Sequence, residues 1–311
     1  MRDVVTRWRR YWFAPAPLLN LGMARIIVCA ILLGLDPRHR FLRIGVVAPE
    51  FWTPIGLLRV LGIPQPSVAE LALLGNASFV LLCLVALGIG THVALACLLP
   101  LQLLQEAMLN SMGKTSHGTI PLLYALLVLL LAPCDRAVSV AAVWRRWRGT
   151  GRVRRESMSP YARWPLEVIF IELAAFYAFA GMAKLRTSGV AWMDGYTLQY
   201  WLLYMGTPWG TWMASHLWLC AAFSVATVVF ELGFPIGIVI QRLRPVLLIG
   251  GALFHLGTTY FMKISFWPVV ALYLVFVPWD RLAARGPTGG AIGAPRDGAG
   301  EGRGGASSTS A

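Results

Sequence analysis

Ala174–Tyr204 reads AAFYAFAGMAKLRTSGVAWMDGYTLQYWLLY. An apolar, aromatic run leads to Lys184, a short polar break follows at Arg186-Thr187-Ser188-Gly189, and Trp192, Asp194 and Gly195 precede a second aromatic run. No soluble amphipathic helix reads this way, because no polar face recurs at helical spacing before Lys184. A helix that is apolar all round belongs in a protein core or a membrane. A lysine ending such a helix beside tryptophan and tyrosine is either an interfacial anchor or a base whose charge is hard to keep.

The rest of the chain chooses the membrane. Of 311 residues, 57% are hydrophobic and 13% charged, against roughly 25% charged in a soluble domain. Mean hydropathy is +0.64. The formal net charge of +13 would suggest nucleic acid in a soluble protein. Here the arginines sit in short loops between apolar runs, the positive-inside pattern, and no basic-aromatic nucleic-acid module is present. The five cysteines form no C-x-x-C and the five histidines no H-x-x-x-H. They imply neither a disulfide framework nor a protein-bound metal.

Outward from the quoted stretch, the expected fold is all-α: a polytopic transmembrane helix bundle of about eight spans with interfacial helices. Residues 1–17 form a basic N-terminal segment, 18–283 the membrane domain and 284–311 a Gly/Ala/Ser-rich tail expected to be disordered. The spans are read at 18–35, 70–90, 93–108, 120–132, 164–184, 213–240, 246–264 and 266–277. The first lacks an A-x-A exit, so it reads as a retained helix and not a cleaved signal. Residues 36–69, rich in proline, are expected to hold short interfacial helices, and 185–212 a re-entrant or interfacial segment.

Residues 134–163 carry eight arginines, the strongest cytoplasmic marker in the chain. With both termini cytoplasmic in a plasma membrane, 91–92 and 241–245 also lie inside. Arg38, Arg40, Arg43 and Arg59 are then exceptions, outside. Lys114, Ser116, His117, Lys184 and Lys263 fall at the outer ends of their helices, and His255 near mid-depth.

Ionisable residues at membrane depth are costly and point to function by default. The candidates are Arg25, Glu106, Glu172, Lys184, Glu231, His255 and Lys263. Each also has a plain reading. Arg25 is expected to neutralise Glu172 or Glu231, Lys263 to snorkel, His255 to make an interhelical hydrogen bond, and Glu167 to sit at the interface. Glu231 precedes Pro235 by four residues, so the proline frees its carbonyl and makes a kinked pocket wall. Lys184, if dry, is a general base; if wet, an anchor.

The segment Phe176-Tyr177-Ala178-Phe179-Ala180-Gly181-Met182-Ala183-Lys184-Leu185 followed by Trp192-Met193-Asp194-Gly195-Tyr196 and Tyr200 resembles the horizontally transferred transmembrane domain. That is the membrane part of vitamin K-dependent gamma-carboxylases. Lys114-Thr115-Ser116-His117 with Tyr124 downstream, Glu231-Leu232-Gly233-Phe234, Phe254-His255 and the closing Pro278-Trp279 are similar to further places in the family. The resemblance covers about residues 10–283. It implies a quinone or quinol of the reduced vitamin K type as cofactor, with Lys184 as base. It implies His117 and His255 as groups orienting a quinol oxygen or stabilising developing charge. Trp192, Tyr200 and Glu231 are then expected in the quinone pocket. The carboxylases carry a large soluble domain after the membrane part, where this sequence has a glycine-rich tail. The expectations are a core acting on a lipid or small molecule, one working with a separate protein partner or peptide substrate, or one using only the quinone half of the chemistry. A non-enzymatic lipid-binding scaffold is the competing reading, and a transporter ranks last because no internal repeat is visible.

Overall fold

In the computed structural model of the chain, residues 2–113, 117–148 and 158–284 are described. The tail beyond 284, the arginines at 152, 154 and 155, and the Lys114-Thr115-Ser116 segment lie outside the described residues. In chain order the helices are α1 (Arg2–Phe13), α2 (Leu18–Gly34), α3 (Gly56–Val60), α4 (Val68–Leu87), α5 (Thr91–Asn110), α6 (Ile120–Leu131), α7 (Val140–Trp147) and α8 (Arg163–Ser188). They continue with α9 (Tyr196–Met205), α10 (Pro208–Ala214), α11 (Leu217–Gly233), α12 (Ile236–Val239), α13 (Arg244–Met262), α14 (Trp267–Leu272) and α15 (Trp279–Ala284). Extended pairing among the described residues is one two-residue contact, Ala16–Pro17 against Met158–Ser159.

All eight apolar runs are helical. Among the described residues, five helical stretches are long and apolar enough to cross a membrane: Val68–Leu87, Thr91–Asn110, Arg163–Asp194, Leu217–Val239 and Gln241–Met262. Leu18–Gly34, Ile120–Leu131 and Trp267–Phe276 are shorter. At 1.5 Å per residue, α6 is only about 18 Å long. The packing explains the difference. The long stretches bury only 11–39% of their apolar windows, so their outer faces are free to meet lipid. The shorter α2 and α6 are wrapped by neighbours instead. α2 buries ten of its residues, among them Leu21, Val28 and Leu32, and α6 buries Leu122, Leu126 and Leu129.

Local sequence sets the ends. Ser67 and Glu70 form a capping box at the start of α4, with Glu70 Oε2 accepting from Ser67 N–H at 2.7 Å. Residues 36–67 fold as 3-10 turns and α3 over a small core of Phe41, Ile44, Leu58, Leu71 and Met108, as expected for interfacial structure. α8 runs on through the anticipated polar break to Ser188, then tightens into a 3-10 turn at Gly189–Asp194. The sixth span begins at Leu217, because α10 and its Thr207 cap occupy Met213. α11 ends at Gly233, just before Pro235, and α12 resumes beyond it, the interruption a proline without an N–H imposes.

One expectation about buried charge is corrected. Arg25 pairs with neither Glu172 nor Glu231. It is fully buried, and its guanidinium donates to the carbonyls of Cys134 (2.9 Å), Val138 (2.5 Å) and Ala86 (3.3 Å). Those carbonyls lie at or beyond the ends of α4 and α6, where helices leave acceptors unpaired, and a guanidinium has enough donors to serve all three. Glu167, expected at the interface, is buried in the basic end and bonded by Arg244 Nη2 at 2.6 Å, with Arg163 Nε at 3.5 Å. The acid of α5, Glu106, takes Arg40 at 2.6 Å, which accounts for one of the arginines the topology put outside.

Candidate functional site

The bundle has two distinguishable ends. At one, Arg163 and Glu167 of α8 meet Gln241 and Arg244. The other end holds Lys184, the 3-10 turn with Trp192, and the exposed Lys263 that caps α13. Between them, α8 and α11 pack closely because of Gly181. A Cβ there would stand 3.0 Å from Leu232 and 3.1 Å from Glu231 Cβ, closer than side chains normally approach. The Ala180-Gly181 pair is therefore the local reason that the next helical turn of α8 faces Glu231.

Lys184 turns its amine back along α8, within 3.5 Å of the Ala180 carbonyl. This direction is typical of long helical side chains. Nζ lies 2.7 Å from both carboxylate oxygens of Glu231, with side-chain exposures of 23% and 5%. Trp192 lies beside the pair, its ring centroid 5.3 Å from Nζ, within cation–π range. The amine thus points into the bundle and not outward to the rim.

Two turns earlier on the same face of α8, about 10 Å along the axis, stands Tyr177. It is buried, stacked on Phe234 (4.4 Å) and edge-on to Phe230 (5.5 Å). Its hydroxyl bonds His255 Nε2 at 2.7 Å and also the Tyr273 hydroxyl. Room for both hydroxyls comes from Gly251, where a Cβ would be 2.5 Å from the Tyr273 oxygen and 3.2 Å from that of Tyr177. His255 Nδ1 is buried with no partner among the described residues. When the Tyr177 hydroxyl donates to Nε2, Nδ1 carries the hydrogen and is a donor without an acceptor. A cavity of about 460 Å³ between α13 and α14 is lined by His255, Thr259, Ser265 and Trp267.

His117 is joined to this layer through rings. It lies 5.9 Å from Phe176 and 6.4 Å from Phe266, and Phe266 is 5.1 Å from His255. Tyr200 stands apart, 60% exposed on α9 and stacked on Tyr204. A second cavity of about 340 Å³, between α9, α10, α11 and α13, is lined by Phe223, Phe230, Phe254 and Phe261 with Thr227 and Thr258. Phe230 connects it to Tyr177 and, one residue on, to Glu231.

Residues 13–280 match the family model of the HTTM domain. The chain belongs to the HTTM domain family. This is a family of membrane proteins related to the vitamin K-dependent carboxylases. No curated protein and no solved structure gives a match.

Within this HTTM domain, the structure brings Lys184, Glu231 and Trp192 into one group and His255, with His117 at its edge, into another. Sequence reading gave no role to Tyr177, Tyr273, Phe230 or Gly251. Tyr177 was open to discovery by spacing, since it precedes Lys184 by seven residues and so shares its face. Tyr273 is the one hydroxyl in the apolar run 268–277, a weaker signal.

Proposed function

We propose that this HTTM protein, crossing the plasma membrane several times with both termini cytoplasmic, binds a quinone or quinol between its helices and uses Lys184 as its base. The observation that carries this reading is the Lys184–Glu231 pair, placed on a layer of aromatic rings beside an apolar cavity. The residues present suit such a group. Four phenylalanines line the 340 Å³ space and threonines supply two hydroxyls, while His255, whose Nδ1 lacks an acceptor, lines the separate 460 Å³ cavity. Cofactor sites are of this mostly apolar kind, with few polar groups. A bound quinol supplies an acidic hydroxyl and a ring able to exchange electrons.

The chain's own chemistry follows from the pair. Glu231 accepts two hydrogen bonds from the Lys184 ammonium. Transfer of one of those protons to Glu231 leaves a neutral amine beside a neutral acid, without moving net charge through a low-dielectric region. The amine lone pair then accepts a proton from a ligand hydroxyl. The restored ammonium would remain beside the ligand oxygen, where it would stabilise developing negative charge. His255 and His117 position ligand oxygens from the α13–α14 side.

The test is twofold. Lipid extracted from the purified protein contains a quinone at near-stoichiometric amount, and quinol added with dioxygen, which supplies the epoxide oxygen and leaves as water, is epoxidised by wild type but not by Lys184→Ala. Equal turnover by the two proteins removes Lys184 from the chemistry. A scaffold reading rests on the same 2.7 Å contact, which also satisfies both charges. It predicts no bound quinone, and a Lys184→Ala protein altered in stability alone.

A further inference from the structure

At the basic end of the bundle, far along α8 from Lys184, a cleft of about 760 Å³ opens between α2, α8, α13 and the 3-10 turn Tyr273–Phe276. Its mouth carries Arg163, Arg244 and Arg281. An adjoining cleft of about 690 Å³ shares Arg163 and adds Arg7, Arg10 and Arg242. Six arginines therefore border these two adjoining clefts, which share Arg163 and Gln241. The acids nearby are Glu167, in its wall, and Asp280, held by Asn20 at 2.8 Å. The local balance is positive, +6 against −2.

Membrane topology needs only that basic residues lie in the loops on one side. It does not need them around a cleft, nor fixed in direction. Here two are fixed. Arg244 donates to the Gly237 carbonyl (2.9 Å) and to Glu167 (2.6 Å), and its guanidinium lies 4.2 Å over the Phe170 ring. Arg163 donates through Nη2 to Gln241 (3.1 Å). Behind this mouth the cleft turns apolar. Its wall runs along α13 from Arg244 to Ile249 and Ala252, about 12 Å, faced by Leu274 and Phe276.

We propose that this cleft holds an anionic phospholipid, the phosphate between Arg163, Arg244 and Arg281 and one acyl chain along Ile249 and Leu274. Basic pockets between helices on the cytoplasmic side are the surfaces that recognise anionic headgroups, and guanidinium groups match phosphate through paired N–H donors. The proposal is independent of any quinone at Lys184.

The experiment uses the full chain purified in neutral detergent. Thermal unfolding and native mass spectrometry are run with short-chain phosphatidylglycerol, phosphatidylcholine of the same chains, and inorganic phosphate. Phosphatidylglycerol is expected to stay bound and raise the melting temperature, and the other two not to. Arg242→Gln and Arg281→Gln, both exposed, each weaken it about fivefold. Ile249→Trp, at a position 62% exposed, blocks the chain groove with every arginine intact and also weakens binding. If that variant fails to fold, Leu274→Trp tests the same wall. Equal binding of the two lipids, or full binding to a groove-filled variant, overturns the proposal in favour of unspecific surface attraction. A phosphate shift as large as that of the lipid overturns it in favour of a soluble anion.

Discussion

Lys184 and Glu231 meet across α8 and α11 through two contacts of 2.7 Å, with the carboxylate almost fully enclosed and the amine only partly so. The pair sits where Gly181 lets the helices touch, and Trp192 lies beside it. A charge pair at this depth is either a tie between helices or a proton-handling unit, and the two roles separate on mutation.

Removing one member leaves the other buried and unpaired. Lys184→Met or Glu231→Gln should each lower stability, Lys184→Met by about 3–5 kcal/mol, the range for breaking a buried ion pair from one side. The double variant Lys184→Met/Glu231→Leu replaces the pair by apolar groups of similar volume. It should recover to within about 1–2 kcal/mol of wild type, as such replacements usually do. Thermal unfolding in detergent measures all three. If Lys184 is the base, the double variant is a folded protein without quinol turnover. If turnover persists in it, the tie is all the pair provides.

The tyrosine–histidine layer makes a second prediction. Tyr177→Phe keeps the ring stack on Phe234 but takes the hydroxyl from both His255 and Tyr273. A buried polar group left without its partner costs about 1–3 kcal/mol, and the melting temperature should fall accordingly. Gly251→Ala reaches the same layer from α13, since its methyl would stand 2.5 Å from the Tyr273 oxygen. It should destabilise the protein to a similar extent, while Gly257→Ala, with open space around it, should not. Equal effects of the two glycine changes would show that the hydroxyl cluster contributes little.

The helical bundle was legible in sequence because hydropathy and arginine placement are one-dimensional signals. Most apolar runs became a helix close to the expected bounds, while 213–240 starts at Leu217 and breaks at Pro235, and 266–277 ends in a 3-10 turn. The exceptions are instructive. Three of the eight helices are too short to span unaided, and only packing shows why, since α2 and α6 are lined by protein on most sides. The charged residues were found but mispaired. Arg25, Glu172 and Glu231 are all in apolar helices, and nothing in their spacing says that Lys184 takes Glu231 while carbonyls take Arg25. Partner choice depends on which helix ends meet, and that is set by close approaches such as Gly181. The same blindness left Glu167 without named partners, although Arg163 four residues earlier on the same face was a readable hint.

Arg25 gives the last prediction. Its guanidinium joins α2 to the carbonyls of Ala86, Cys134 and Val138, so it organises the basic end of three helices without any carboxylate. Arg25→Met keeps much of the side-chain volume and removes every donor. Three acceptors, one buried and two part-buried, then lose their partner, and the loss should be roughly 3–5 kcal/mol. Arg25→Lys keeps the charge but offers a point donor in place of a fork, so it reaches fewer of the three and should recover only part of that loss. The expected order of melting temperature is wild type, then Lys, then Met. Were Arg25→Lys as stable as wild type, the charge and not the three-carbonyl geometry would be what α2 requires. Were Arg25→Met as stable, the junction would owe its stability to the surrounding leucine packing of α2, α4 and α6 alone.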